Sequence, residues 1–155
     1  MKARIMDNLC SYLTGSVDID EFNDTIRERR FALFDVLHAN ALFDRSKLDA
    51  LFARSAIPPH QIDLIIDGLP NSLGHLQERL DRLDKNLVDR GFANGATIRV
   101  RDLDRFVPEL GQFCSRVQQQ FAAECQVNCY LTPPNSRGFF PHFDTSDAFI
   151  LQCGG

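Results

Sequence analysis

Between Leu103 and Leu131 the apolar residues change period, and that change limits what the chain can fold into. Leu103, Phe106, Val107, Leu110, Phe113, Cys114, Val117 and Phe121 recur at three- and four-residue steps, the spacing of one helical face. Pro108 fits only the first turn of such a helix, which places the expected start near Arg105. After Glu124 the step shortens to two. Gln126, Asn128, Tyr130 and Thr132 then lie on one face of a predicted strand, and Val127, Cys129 and Leu131 on the other. A chain that needs both periods is α+β.

Upstream, the helical period dominates. Residues 18–30 predict a helix with an acidic start and a basic end. Residues 45–57 predict another, with Ser46 as N-cap, Leu48, Leu51 and Phe52 on one face, and Pro58 and Pro59 as its stop. From 72 to 90, Leu73, Leu76, Leu80, Leu83 and Leu87 predict one amphipathic helix, a stripe that normally faces a core. The run "QIDLIID" (61–67) is β-branched-rich and predicts a strand closed by Gly68 and Pro70; a second short strand is expected at 97–101. At the far end "FFPHFD" and "DAFILQC" predict two more. The expected layout is therefore a mostly helical region over 1–95 and a strand-bearing region over 96–155. Its sheet is short of strands and finishes on an apolar one.

Bulk properties narrow the function. With 155 residues there is room for one domain with a real core. A net charge of −4 gives no general electrostatic reason to bind nucleic acid or an anionic membrane, so neither is expected as a partner. No apolar run approaches the roughly 20 residues of a membrane span, and the N-terminus lacks a signal peptide's apolar block. A cytoplasmic location is expected. The five cysteines (Cys10, Cys114, Cys125, Cys129 and Cys153) are then expected as free thiols. Cys125 and Cys129 lack the second ligand pair of a zinc site and read as buried thiols.

The chemistry-bearing candidates are His142 and Asp144. In an extended segment, residues two apart point the same way, so an imidazole and a carboxylate stand side by side. Together they could fill two adjacent positions of a two-His-one-carboxylate Fe(II) site. Alone the tripeptide is a weak signal, and a surface ion pair or a hydrogen-bonded histidine accounts for it better than a metal does. His38, His60 and His75 precede the strands, lack a ligand-spaced partner and are expected on loops or helix surfaces.

The surrounding residues resemble a known family. Asn128, Tyr130, Thr132, Pro133 and Pro134, then Gly138, His142 and Asp144, then Asp147, Phe149, Leu151, Gln152 and Gly154 match the metal-strand region of bacterial cupin-like JmjC-domain oxygenases, the group related to ribosomal-protein hydroxylases. The stretch from Asn94 to Glu124 also resembles the family's Gly-Ala-Thr strand and following helix, and residues 20–70 match only loosely. The resemblance implies a double-stranded β-helix (jelly-roll, cupin) core, incomplete in this chain. It implies Fe(II) held by His142 and Asp144, 2-oxoglutarate as co-substrate, and hydroxylation of a protein or peptide side chain. Asn128 matches a position that helps hold 2-oxoglutarate; a buried amide satisfied by backbone is the competing reading. The family's second metal histidine and its basic co-substrate residue would fall beyond Gly155, so this chain is expected to represent the N-terminal part of such an oxygenase. Two other readings stand beside it. One is a non-catalytic remnant that uses the 72–90 helix as an interaction surface, which leaves a homodimer open. The other is a metal-binding cupin without oxygenase activity.

Overall fold

Asp67 and Gly68 both take positive φ, 49° and 74°, and turn the chain in a two-residue hairpin. The hairpin joins β1 (Ile62–Ile66) to β2 (Leu69–Ser72), with Ile66 opposite Leu69. The Asp-Gly signal lies in the sequence, but Gly68 and Pro70 had been expected only to end a strand. Pro70 is tolerated because β2 is an edge strand, where a missing N–H breaks no ladder. β1 also pairs antiparallel with β3 (Thr97–Val100), and β3 with β4 (Cys129–Leu131). The result is a four-stranded antiparallel sheet in the order β2-β1-β3-β4. The computed structural model describes residues 20, 23–25, 31, 33, 39–77 and 81–154.

Helices cover one face of this sheet. α1 (Ala39–Leu42) leads into α2 (Arg45–Ala53), whose N-cap is Asp44 and not Ser46. The Asp44 carboxylate accepts both the Lys47 N–H and the Ser46 hydroxyl, at 2.9 and 2.7 Å. α2 also ends before the two prolines, at a left-handed Ser55 whose N–H donates to Phe52 O. Of the 18–30 helix, residues 20 and 23–25 have helical backbone. The rest lies outside the described residues, as do His38 and Cys10.

The 72–90 stretch is not one helix. α3 (Leu73–Leu76) stops at an extended Gln77, and α4 (Lys85–Ala93) starts afresh at Asp84. The Asp84 side chain caps α4 by accepting from Asn86 N and Leu87 N. Gln77 then clamps the gap, because its amide donates to Arg82 O and accepts from Asp84 N. Leucine spacing carries no information about such a break. Leu73 and Leu83 still reach the core and Leu87 packs on it, but Leu76 is half exposed.

α5 (Pro108–Phe121) carries Pro108 in its first turn, with a separate 3-10 turn at Leu103–Arg105 before it. The helix proper therefore begins three residues later than Arg105. Ile62, Leu64, Ile98 and Val100 of the sheet meet Leu48, Phe52, Val88 and Leu110 of the helices in one core. Full burial of each such side chain contributes about 1.5–3 kcal/mol. Gly91 lets α4 approach β1 closely, because a Cβ there would sit 2.7 Å from Leu64 Cδ1.

β1 and β3 lie where the sequence predicts strands, at 61–67 and 97–101. One expectation needs correction. The segments "FFPHFD" and "DAFILQC" form no strands. Residues 138–140 cross the face of the sheet and add nothing to its edge, so their backbone finds no ladder: Gly138 lies beside Thr97, and the Phe140 ring fills the space above Gly68. Farther on, Phe149 stacks on Phe121 at 6.3 Å, and Leu151 packs on the core. Among the described residues no helix is long and apolar enough to cross a membrane.

Candidate metal-binding pair and the sheet face beneath it

The second face of the sheet is polar. Its period-two positions are Asp63 and Ile65 on β1, Thr97 and Arg99 on β3, and Tyr130 on β4. Asp63 is a carboxylate at 3% exposure, and burying that charge unpaired would be costly. Arg99, directly opposite on β3, meets it. Arg99 Nε donates to Asp63 Oδ2 at 2.7 Å, with Nη2 2.6 Å from the same oxygen. Arg101 adds a second cation, its Nε 3.3 Å from that oxygen but not in hydrogen-bond geometry. Its Nη2 donates to His60 O. Thr97 Oγ1 donates to Thr132 Oγ1 at 3.0 Å.

On this face lies the segment with the two candidate ligands. The Arg99 guanidinium sits 5.1 Å from the centre of the Phe139 ring. Phe139 in turn meets Tyr130 edge-on at 6.3 Å and the His142 imidazole edge-on at 5.3 Å. His142 Nδ1 lies 2.9 Å from Phe140 O, and since a carbonyl only accepts, Nδ1 carries the proton in that contact. Nε2 then carries the ring's lone pair. It lies 3.8 Å from Asp144 Oδ2, with both side chains more than half exposed, at 53% and 64%.

The structure brings His142 and Asp144 side by side, although in a segment that is not the strand expected there. An imidazole nitrogen beside a carboxylate oxygen, with the other nitrogen held by a carbonyl, is a donor set that suits a divalent iron. Among the described residues no third His, Cys, Asp or Glu joins them. His60 and His75 are exposed and remote from any such group.

Asn128 sits elsewhere on the scaffold. Its Oδ1 accepts the N–H of Asp102 at 3.1 Å, and Asp102 is left-handed at φ 51°. Val127 O accepts from Leu103 N, and Asp104 Oδ1 from Val127 N, so three hydrogen bonds tie the turn after β3 to the approach to β4. The side chain is exposed, and among the described residues its Nδ2 donors have no partner.

The cysteines behave as thiols. Cys125 Sγ donates to Cys114 Sγ at 3.4 Å, so Cys125 and Cys129 are not paired with each other. Burial, then the Cys125 contact, pushes the Cys114 thiol up to about 12, and burial pushes Cys129 up to about 11.

Asp63, Arg99, Arg101 and Phe139 were missed as site residues by sequence reasoning. The available signal was a lone Asp within an otherwise apolar strand, which needs a cationic partner, and two arginines in period two at 99 and 101.

Residues 102–155 match the family model described as JmjC domain. Over 64 residues, 41% of this chain, it is 42% identical to the bifunctional lysine-specific demethylase and histidyl-hydroxylase NO66 of Drosophila mojavensis. Over the same length it is 44% identical to the Drosophila willistoni protein of that name and to ribosomal oxygenase 1 of Rattus norvegicus. These stretches cover 7%, 8% and 11% of the respective relatives. The chain therefore spans a small part of the curated relatives it matches.

Proposed function

We propose that this chain carries part of the active site of a JmjC-type Fe(II)/2-oxoglutarate-dependent oxygenase that acts on a protein or peptide side chain, within a jelly-roll core. The observation that carries the reading is the placement of His142 Nε2 beside Asp144 Oδ2, with Nδ1 engaged by a backbone carbonyl. The relatives support a protein substrate by their names alone, one being a lysine-specific demethylase and histidyl-hydroxylase, the other a ribosomal oxygenase.

His142 and Asp144 would hold the metal. Iron with 2-oxoglutarate would supply oxidative activation of a substrate C–H bond. The chain's own residues do the rest. The Phe140 carbonyl fixes the His142 tautomer so that Nε2 faces outward with a lone pair. Asn128, fixed through Oδ1 to Asp102, keeps its Nδ2 donors for a carboxylate of the co-substrate. Exposure of the 142–144 segment lets a polypeptide substrate approach.

The test is succinate release from 2-oxoglutarate, dependent on Fe(II) and oxygen, measured with the native protein, His142→Ala and Asp144→Ala. The expected result is release that both substitutions abolish. Bound iron lost in His142→Ala, with no succinate from the native protein, would make this a metal-binding cupin without oxygenase activity. No iron bound at His142 would overturn both. The reading as an interaction module loses its surface, because residues 72–90 form no continuous helix and Leu73 and Leu83 are buried.

A further inference from the structure

We propose that Asp63 and Arg99 are positioning residues for His142 and act through the ring of Phe139. The metal-site reading gives this its functional meaning, but the positioning itself is a property of the chain alone.

Neither a strand ladder nor burial holds His142. The segment from Ser136 to Asp144 forms no strand, so no ladder of backbone hydrogen bonds sets its register. His142 is exposed, so burial does not fix its rotamer either. Three contacts remain, and one of them, the 3.8 Å approach of Asp144 Oδ2, comes from a side chain that is itself 64% exposed. The Phe140 carbonyl fixes which nitrogen carries the proton, and the edge of Phe139 limits rotation of the imidazole, at 5.3 Å and 69° between planes.

Phe139 is itself seated on a cross-strand pair. Arg99 and Tyr130 are register partners on β3 and β4, and both touch its ring. The guanidinium can serve as a flat seat only if it is held still. A long arginine side chain, left free, would sample many rotamers. Asp63 removes that freedom, since two nitrogens of Arg99 converge on one of its oxygens. Asp63 is nearly inaccessible and lies on the central part of the sheet, the most rigid base available. The chain of contact thus runs from the buried carboxylate to the guanidinium, to the phenyl ring, to the imidazole.

A purely structural role for the ion pair would hold β1 against β3 and leave His142 indifferent to it. The two roles separate in ring NMR of His142 in the metal-free native protein. In Arg99→Gln, which keeps the Phe139 ring, the ring-current shifts of the His142 carbon-bound protons are expected to collapse, and in both Arg99→Gln and Phe139→Leu its Nδ1–H tautomer is expected to lose population. Arg99→Lys, which keeps the cation but not the flat face, should recover these signals only in part. Leu51→Ala, which weakens the core away from this face, should leave them unchanged in the folded protein. With Co(II) as probe, Arg99→Gln should bind roughly tenfold more weakly, as for other residues that orient a metal ligand. His142 ring shifts unchanged in folded Arg99→Gln, or an unchanged tautomer in folded Phe139→Leu, would overturn the positioning role. Shifted signals in those variants with no Co(II) bound by the native protein would uphold it and sink the metal reading.

Discussion

Arg99 brings Nε and Nη2 within 2.7 and 2.6 Å of a single oxygen of Asp63, across the β1–β3 ladder. This pair sits under the ring that meets His142, so it links the stability of the sheet to the geometry of the candidate site.

Removing the buried partner should cost the most. Asp63→Ala leaves two arginines facing a carboxylate-free pocket and is expected to destabilise the fold by about 3 kcal/mol. Urea unfolding measures it. A loss under about 0.5 kcal/mol, the range of ordinary surface changes, would show that the pair is not a stability element.

Asp44 makes α2 sensitive to acid. The Ser46 hydroxyl, and after it the Lys47 N–H, hold its carboxyl below the ordinary value of 3.8. A depressed carboxyl stabilises the folded state above its unfolded pKa, and that contribution disappears as pH falls through the folded value. Asp44→Ala should lower Tm at neutral pH, and the gap to the native protein should close in strong acid. A gap that persists unchanged at pH 2 would contradict the assignment.

Gly68 is required twice, by its φ of 74° and by the Phe140 ring that occupies the space of a Cβ. Gly68→Ala should cost about 1–3 kcal/mol and dislodge Phe140, which NMR shifts of that ring would report. A variant that melts with the native protein would mean the ring is not seated there.

The thiols give an alkaline signature. Cys114, raised to about 12, and Cys129, raised to about 11, should resist iodoacetamide in the native protein at pH 8 and react once it is unfolded. Raised thiols stabilise the folded state below the ordinary value of 9.0, and this is lost as pH climbs through their folded values. Stability should therefore decline above pH 9. Rapid native alkylation of Cys114 would contradict its burial.

Periodicity carried the local elements well. The faces of α2 and α5 and the β1 and β3 strands all follow from spacing, because each depends on neighbours within a few residues. What spacing left out depends on distant partners. Gln77 breaks a leucine-spaced helix by bonding to residues 82 and 84. Phe139 leaves its expected strand to sit on Arg99 and Tyr130, which only the β3–β4 pairing brings together. Asp63 and Arg99 lie 36 residues apart and become a pair only through strand register. Asn128 had two readings in the sequence. The structure gives its oxygen a backbone partner at Asp102 but leaves the side chain exposed, so it is not the buried amide of the second reading.

The most direct test is an anaerobic Fe(II) titration of the native protein, followed through paramagnetic broadening of assigned side-chain signals. The expected result is broadening that begins at His142 and Asp144 and disappears in His142→Ala. Signals at these two residues that stay sharp while others broaden, or broadening that survives in His142→Ala, would contradict it.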